Sequence, residues 1–471
     1  MNKARRVCDS VARQIVPSKA EYERVHRLAE QLRAKLAAQA RRQTLEADVR
    51  IDGSVAKDTW LRGDADIDIF LRVPTSLSRA DLEGRCLDVA RRALKRYPIV
   101  ERFAEHPYVE THVEGVRVNV VPCYNVARGQ WRSATDRTPF HTDYVISHLS
   151  SGQKREVRLL KAFLKGIEVY GADIKVSGFS GMLSETLIMY HGSFIKTLEE
   201  AKSWKVPTVI DLERYYRGRE QELYDLFEDP LVVIDPVDRG RNLAASISRR
   251  KLWEFVAAAR AFSDKPSKSF FFARRVTPLS AKGFRREMRR RGWNLVAIEF
   301  GRVDAVVDVL WSQLYRTERA LRNLLRQAGY RVTRSASWSD EEKLNVIIFE
   351  LENVILPPAR KHVGPQVSRS KASELFLQKH LNEVRSISGP WVDEDRWAVA
   401  QLRENTSALQ LLRSRIRDGG RQVGVASRIA AVLKRRFSVL AGPRLVSFYR
   451  KNSEAARFIT GFLKGRPAWL D

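Results

Sequence analysis

Asp66 and Asp68 stand two residues apart in Ala65-Asp66-Ile67-Asp68-Ile69-Phe70. On a β-strand the side chains alternate, so the two carboxylates leave one face about 6–7 Å apart at the backbone, while Ala65, Ile67 and Ile69 point to the other. Carboxylates placed this way hold one or two hard cations. Upstream, Gly53-Ser54 opens a short helical stretch and offers backbone N–H groups and a hydroxyl to an anion lying beside those cations. Together these groups describe a nucleoside triphosphate held by magnesium. Alone, an acid-hydrophobic-acid strand is more often a solvated edge; the Gly-Ser and its helix favour the chemical reading. A second set is basic. Arg158, Lys161 and Lys165 recur at three- and four-residue spacing, a stripe opposite Val157, Leu160, Leu164 and Ile167. Such a stripe either holds a triphosphate or is a solvated charged face.

The positioning elements follow from the pattern. Ser18-Lys19-Ala20-Glu21 has capping-box form, and Val25, Leu28, Leu32 and Leu36 repeat behind it at helical spacing. Residues 46–52 read as a strand, followed by the Gly-Ser turn, a helix around Trp60, and a strand over 66–72. Residues 79–97 form an amphipathic helix; 100–112 and 116–124 are two strands joined at Glu114-Gly115. Asp235-Pro236-Val237-Asp238 ends one segment, and a further helix begins before Ser246. Lys265-Pro266-Ser267-Lys268-Ser269 is linker-like. Beyond it, a strand over 295–300, a helix carrying Leu310, Leu314, Leu321 and Leu324, and strands over 330–338 and 344–351 suggest a ferredoxin-like module. Residues 357–371 read as a loop with Arg360, Lys361 and His362, and 446–463 as one closing helix.

A chain of 471 residues exceeds one ordinary core. Its 84 Lys and Arg against 56 acids give a formal net charge of +28, spread along the whole length, which calls for a polyanionic partner contacted by much of the protein. Cys8, Cys86 and Cys123 are too far apart for a disulfide framework or a zinc site and suit a reducing cytoplasm. The N-terminus lacks the apolar run of a signal peptide and no stretch approaches membrane-spanning length, so no membrane partner is expected.

The Gly-Ser, short helix and acid-hydrophobic-acid strand resemble the signature of the polymerase-β-type nucleotidyltransferases. Further stretches resemble the archaeal, class I CCA-adding tRNA nucleotidyltransferases over most of the chain. They are Ala104-Glu105-His106-Pro107-Tyr108-Val109, Val121-Pro122-Cys123-Tyr124, Asp136-Arg137-Thr138-Pro139-Phe140-His141, Val169-Tyr170-Gly171-Ala172 and Gly178-Phe179-Ser180-Gly181. The resemblance implies restoration of the 3′ CCA of tRNA from CTP and ATP without a template, with Mg2+ as cofactor. The implied partners are the tRNA acceptor stem and 3′ end, with a homodimer allowed for. It implies an α+β, multidomain fold: a nucleotidyltransferase catalytic domain over 1–140, a helical nucleotide- and substrate-binding domain over 141–264, a ferredoxin-like body over 265–350, and a tail with a C-terminal RNA-binding region over 351–471. It places Ser54 and Lys57 on phosphates, His141 and Lys161 on the triphosphate tail and Tyr170 on sugar or phosphates. Arg241 would read the edge of the incoming base, a task suited to a planar, permanently charged guanidinium; pairing with Asp235 or Asp238 is its plainer use.

Two positions depart from the pattern: Lys57, a lesser departure, stands where Arg is common, and Asn119 is the main one. In Val116-Arg117-Val118-Asn119-Val120, Asn119 stands where the family has a third metal-binding acid. Asparagine offers a carbonyl oxygen but no charge. Two unit charges 4 Å apart at an effective dielectric near 20 interact by about 4 kcal/mol, or roughly three decades in rate if fully expressed in the transition state. Asn119 is therefore expected to slow transfer greatly unless His112, Glu110 or Glu114 compensates from the adjoining strand. A catalytically silent tRNA 3′-end binding protein and a template-independent polymerase acting on another RNA are the alternatives.

Overall fold

The computed structural model describes residues 2–103, 106–273 and 275–470; Met1, Ala104, Glu105, Arg274 and Asp471, named or spanned above, lie outside the described residues. The chain divides into two compact units, Met1–Arg275 with Pro467–Asp471, and Val276–Arg466.

The first unit opens with α1 (Asn2–Ile15) and α2 (Lys19–Arg42), the latter capped by Ser18, whose hydroxyl accepts from the Glu21 N–H at 3.2 Å. A five-stranded sheet follows, built from β1 (Asp48–Asp52), β2 (Asp66–Val73), β3 (Ile99–Phe103), β4 (Pro107–Val113) and β5 (Val116–Tyr124) in the order β1-β2-β5-β4-β3. Only β2 and β5 run parallel. Ile67, Ile69, Leu71, Val118 and Val120 fill one face and pack with Val25, Leu28, Leu32 and Leu36 of α2. Strand alternation therefore commits the polar side chains to the opposite face.

Three expectations are corrected here. The short helix α3 is the single turn Gly53–Ala56, not a helix around Trp60. Asp58 adopts φ 53°, which ends helical continuation, and Trp60 is buried in the sheet core. The stretch expected as one strand over 100–112 instead supplies two antiparallel strands, Ile99–Phe103 and Pro107–Val113. The helix α4 is Arg79–Ala93 and stops short of residue 97.

The rest of the first unit packs α5 (Arg137–His148), α6 (Ser151–Gly166) and α7 (Gly181–His191) with later helices and a small sheet of β6 (Thr208–Ile210), β7 (Leu231–Asp235) and β8 (Asp238–Asn242). Phe163 lies at its centre, ringed by Phe194, Phe255, Phe262, Phe270 and Phe271. Residues 235–242 are the turn and return strand of a hairpin, not the start of a helix; the next helix begins at Arg249.

In the second unit, β9 (Leu295–Phe300), β10 (Val332–Ser339) and β11 (Asn345–Leu351) are followed by a separate three-stranded sheet of β12 (Ala359–Gln366), β13 (Ser386–Asp393) and β14 (Arg396–Leu402), and then by β15 (Phe437–Leu440). The main sheet is antiparallel in the order β10-β11-β9-β15, with the helix Val307–Gln327 against it. This is the ferredoxin-like arrangement, but its fourth strand is supplied from residues 437–440, past the whole β12–β14 sheet. The stretch expected as a loop from 357 contains β12, and the closing helix is two, Gly442–Lys451 and Ser453–Lys464, broken at extended Asn452. No helix among the described residues is long and apolar enough to cross a membrane.

Candidate active site

The nine sequence candidates all lie in the first unit; eight gather in three clusters, and Ser54 stands in the Gly53–Ala56 turn beside the first. The first is the polar face of the sheet. Register places Asp68 beside Asn119, Asp66 beside Arg117, and Asp52 across from Asp68 on β1. Asn119 donates from Nδ2 to Asp68 Oδ1 at 2.8 Å, and its own amide oxygen is buried without a hydrogen-bond partner among the described residues. Arg117 donates from Nε to Asp66 Oδ1 at 2.7 Å and from Nη2 to Oδ2. Burial pushes the Asp68 carboxyl up to about 6, against the opposing bond from Asn119. Gly53 closes this cluster. Its φ is +72°, and a Cβ there would stand 2.2 Å from Asp68 Oδ2. Gly53→Ala is thus expected to destabilise the fold by about 1–3 kcal/mol through left-handed strain and a displaced carboxylate, read by thermal melting.

The second cluster surrounds Glu185, which sequence reading overlooked. Its carboxylate is fully buried; Lys57 Nζ donates to it at 2.6 Å, Lys161 Nζ at 2.9 Å and Thr59 Oγ1 at 2.6 Å. Burial alone would raise this carboxyl, yet Lys161 and Lys57 hold it down at about 2. The signal was present as a lone acid in the otherwise apolar helix Gly181-Met182-Leu183-Ser184-Glu185-Thr186-Leu187-Ile188, which only a buried cation can satisfy. Tyr170 adjoins the same cluster, since a Cβ on Gly181 would meet its hydroxyl at 3.3 Å and Lys161 Nζ at 3.8 Å.

The basic stripe on α6 is accordingly neither solvated nor free. Arg158 is buried, donates from Nε to the Trp60 carbonyl at 2.8 Å and pairs with Asp58, pinning the loop after α3. Lys165 pairs with Asp64 and lies over the Tyr170 ring, 5.2 Å from its centre.

The third cluster is built on Asp235 at the end of β7. His141 Nε2 lies 2.8 Å from Asp235 Oδ2, Arg241 Nη1 donates to the same oxygen at 3.1 Å, and the Val237 N–H to Oδ1 at 3.0 Å. Burial acts to raise Asp235, but these partners hold it below the ordinary carboxylate value. The neighbouring Thr142 hydroxyl accepts from the Gly53 N–H at 3.3 Å, so α5 brings His141 alongside the Gly53-Ser54 turn. Lys57 acts electrostatically on Asp68, and Asp66 and Glu185 on Tyr170, which ties the second cluster to the first.

The sheet face suits a divalent cation. Its donors are all oxygen, the orphaned Asn119 carbonyl matches a hard ion, and the two carboxylates supply the charge. No group of three His, Cys, Asp or Glu side chains in metal-binding array occurs among the described residues, so with Asn119 the array as it stands holds one carboxylate fewer than three.

Comparison with known proteins follows the same division. Residues 33–141 match the nucleotidyltransferase domain, 155–272 the second domain of tRNA nucleotidyltransferase, and 291–442 the C-terminal domain of the CCA-adding enzyme. The chain is 37% identical over 433 residues to the CCA-adding enzyme of Halobacterium salinarum, covering 92% of this chain and 93% of that one. It is 34% identical over 480 residues to that of Methanopyrus kandleri, covering 98% and 97%. Among solved structures, a cytoplasmic RNA terminal U-transferase aligns with TM-score 0.46 and 14% identity over 58% of this chain and 99% of its own.

Proposed function

The chain belongs to the CCA-adding enzymes, and from that premise we propose that it extends the tRNA 3′ end with CCA from CTP and ATP. In each addition the 3′-hydroxyl attacks the α-phosphate in line, an O–P bond forms as the bond to the β-phosphate oxygen breaks, and pyrophosphate leaves. The observation that carries the reading is the convergence of the carboxylate face, the Glu185-held lysines and the Asp235-held His141 and Arg241 around the Gly53-Ser54 turn.

Gly53 and Ser54 receive the triphosphate at the start of α3, and Lys57 and Lys161 supply positive charge there. Tyr170 and His141 hydrogen-bond phosphate or sugar oxygens. Arg241, steadied by Asp235, presents its donors to the base edge. Mg2+ would be held by Asp66, Asp68 and the Asn119 carbonyl, where it would supply charge neutralisation for the triphosphate and a lowered pKa for the attacking hydroxyl, whose proton leaves to solvent. The second unit supports a nucleic-acid partner, with a cleft of about 660 Å3 lined by Arg413, Arg417, Arg444 and Lys451. The three cysteines are buried and unpaired, in keeping with a reducing cytoplasm.

The test is incorporation of labelled CTP and ATP into a tRNA transcript lacking CCA. Three additions and a stop are expected; an open-ended tail on tRNA or on unrelated RNA sinks the reading. The engagement of Asp66 by Arg117 and of Asp68 by Asn119 favours one second reading, a silent tRNA-end binder, which predicts retention of tRNA with no magnesium-dependent incorporation. Asp235→Asn is expected to raise KM for both nucleotides about tenfold, because an amide lacks the charge that holds Arg241 and keeps only one acceptor oxygen for Arg241, His141 and the Val237 N–H, while tRNA binding measured by filter retention is unchanged.

A further inference from the structure

The sheet register settles which neighbour of Asn119 is placed to replace the missing acid. On β4, Glu110 lies directly across from Asn119, in line with Asp68 on β2. Residues directly opposite in an antiparallel pair share a face, so Asp68, Asn119 and Glu110 form one row across three adjacent strands. His112 sits across from Arg117, one row away, and is exposed; Glu114 is in the β4–β5 turn at φ 52°. Asp52 flanks Asp68 on the far side, but its carboxylate is fully buried with Arg50 at 3.0 Å.

We propose that Glu110 is the third carboxylate of the metal site, reaching over Asn119 toward Asp68. Asp68 and Glu110 are two strand spacings apart, about 10 Å at the backbone, a span that an aspartate and a glutamate side chain cross by leaning toward one cation between them. The charges of Asp66, Glu110 and Asp68 all act on Arg117, whose guanidinium pairs with Asp66, so the three acids share one neighbourhood although they are not gathered around one point while Arg117 and Arg102 hold them. Asn119 stands between Asp68 and Glu110 in this row, and its buried, unpartnered carbonyl adds a neutral fourth donor. Glu110 is held meanwhile by Arg102 on β3, at 3.1 Å; the arginine is half exposed and Glu110 largely buried, so a divalent ion binds by displacing this guanidinium from the carboxylate. The departure at Asn119 is thus a shift of the third acid by one strand, and it rests on the nucleotidyltransferase reading of the site.

The experiment is Mn2+ titration of the full chain followed by electron paramagnetic resonance, with CCA incorporation measured in parallel. Glu110→Gln is expected to weaken Mn2+ binding and to slow incorporation, each by tenfold or more, and the double variant E110Q/N119D to regain both, because the carboxylate returns one strand over. Asn119→Asp alone is expected to change the rate less than tenfold. His112→Gln is expected to leave both readouts unchanged. Wild-type Mn2+ affinity in E110Q, a gain near a thousandfold in N119D, or loss of affinity in H112Q instead would each overturn the proposal. If Asp68→Asn leaves the Mn2+ signal unmoved, the metal lies elsewhere and the functional reading itself fails; loss in D68N without loss in E110Q refutes only the role of Glu110.

Discussion

Glu185→Gln is expected to lower stability at pH 7 by about 3–5 kcal/mol, the usual penalty for removing one partner of a buried charge pair. Lys57 and Lys161 are themselves buried, so the variant leaves two ammonium groups enclosed around one neutral amide. The pH dependence gives the effect a signature. With its folded value held at about 2, below the ordinary 4.5, Glu185 contributes stability that is present above pH 4.5 and is lost as the pH falls toward 2. Denaturant melts should therefore show the gap between wild type and variant narrowing through that window. A gap under about 1 kcal/mol at pH 7 would mean that the lysines find other partners. Because the same two lysines face the triphosphate in the proposed reaction, KM for CTP and ATP should rise in parallel.

Asp68→Asn is expected to reduce incorporation by roughly a thousandfold or more, from the loss of one full charge next to the reacting phosphate, with tRNA binding within twofold of wild type. Stability should move the other way. A carboxyl raised by burial from 3.8 to about 6 makes no contribution where it is protonated in both states, below about pH 3.8. It opposes folding increasingly as the pH rises from 3.8 to about 6, and by a constant amount above that. The variant should consequently be the more stable protein above pH 6, by up to about 3 kcal/mol, and no more stable below pH 3.8. Equal melting at both pH values would show that the Asp68 charge is already solvated. A more stable and inactive variant is the pattern expected where function requires a buried charge.

How much was readable in advance depended on how local each determinant is. The acids of β2 and the Gly53-Ser54 turn follow from strand alternation and turn chemistry, both properties of adjacent residues. The ferredoxin-like core was visible for the same reason. What the sequence hid was set by partners distant along the chain. The helix after Ser54 breaks because Arg158, on α6, holds Asp58 and the Trp60 carbonyl. Glu185 gains its meaning only when Lys57 and Lys161 meet it. The hairpin of β7 and β8 was misread because Asp238-Arg239-Gly240-Arg241 has no apolar alternation, its pairing being set by the buried strand β7 beside it. The choice among Glu110, His112 and Glu114 needed the register of β4 against β5, which composition does not encode.

The late arrival of β15 bears on how this protein is made. At a synthesis rate of roughly 5–20 residues per second, the strand that covers one edge of β9 leaves the ribosome on the order of ten seconds after β9 itself. Through that interval the apolar run Leu295-Val296-Ala297-Ile298 has an uncapped border, the kind of backbone edge that recruits stray strands from other nascent chains. Lys282-Gly283-Phe284-Arg285-Arg286 just ahead of it is strongly cationic. Like charge on neighbouring copies opposes such pairing, an effect of positive charge that does not depend on RNA.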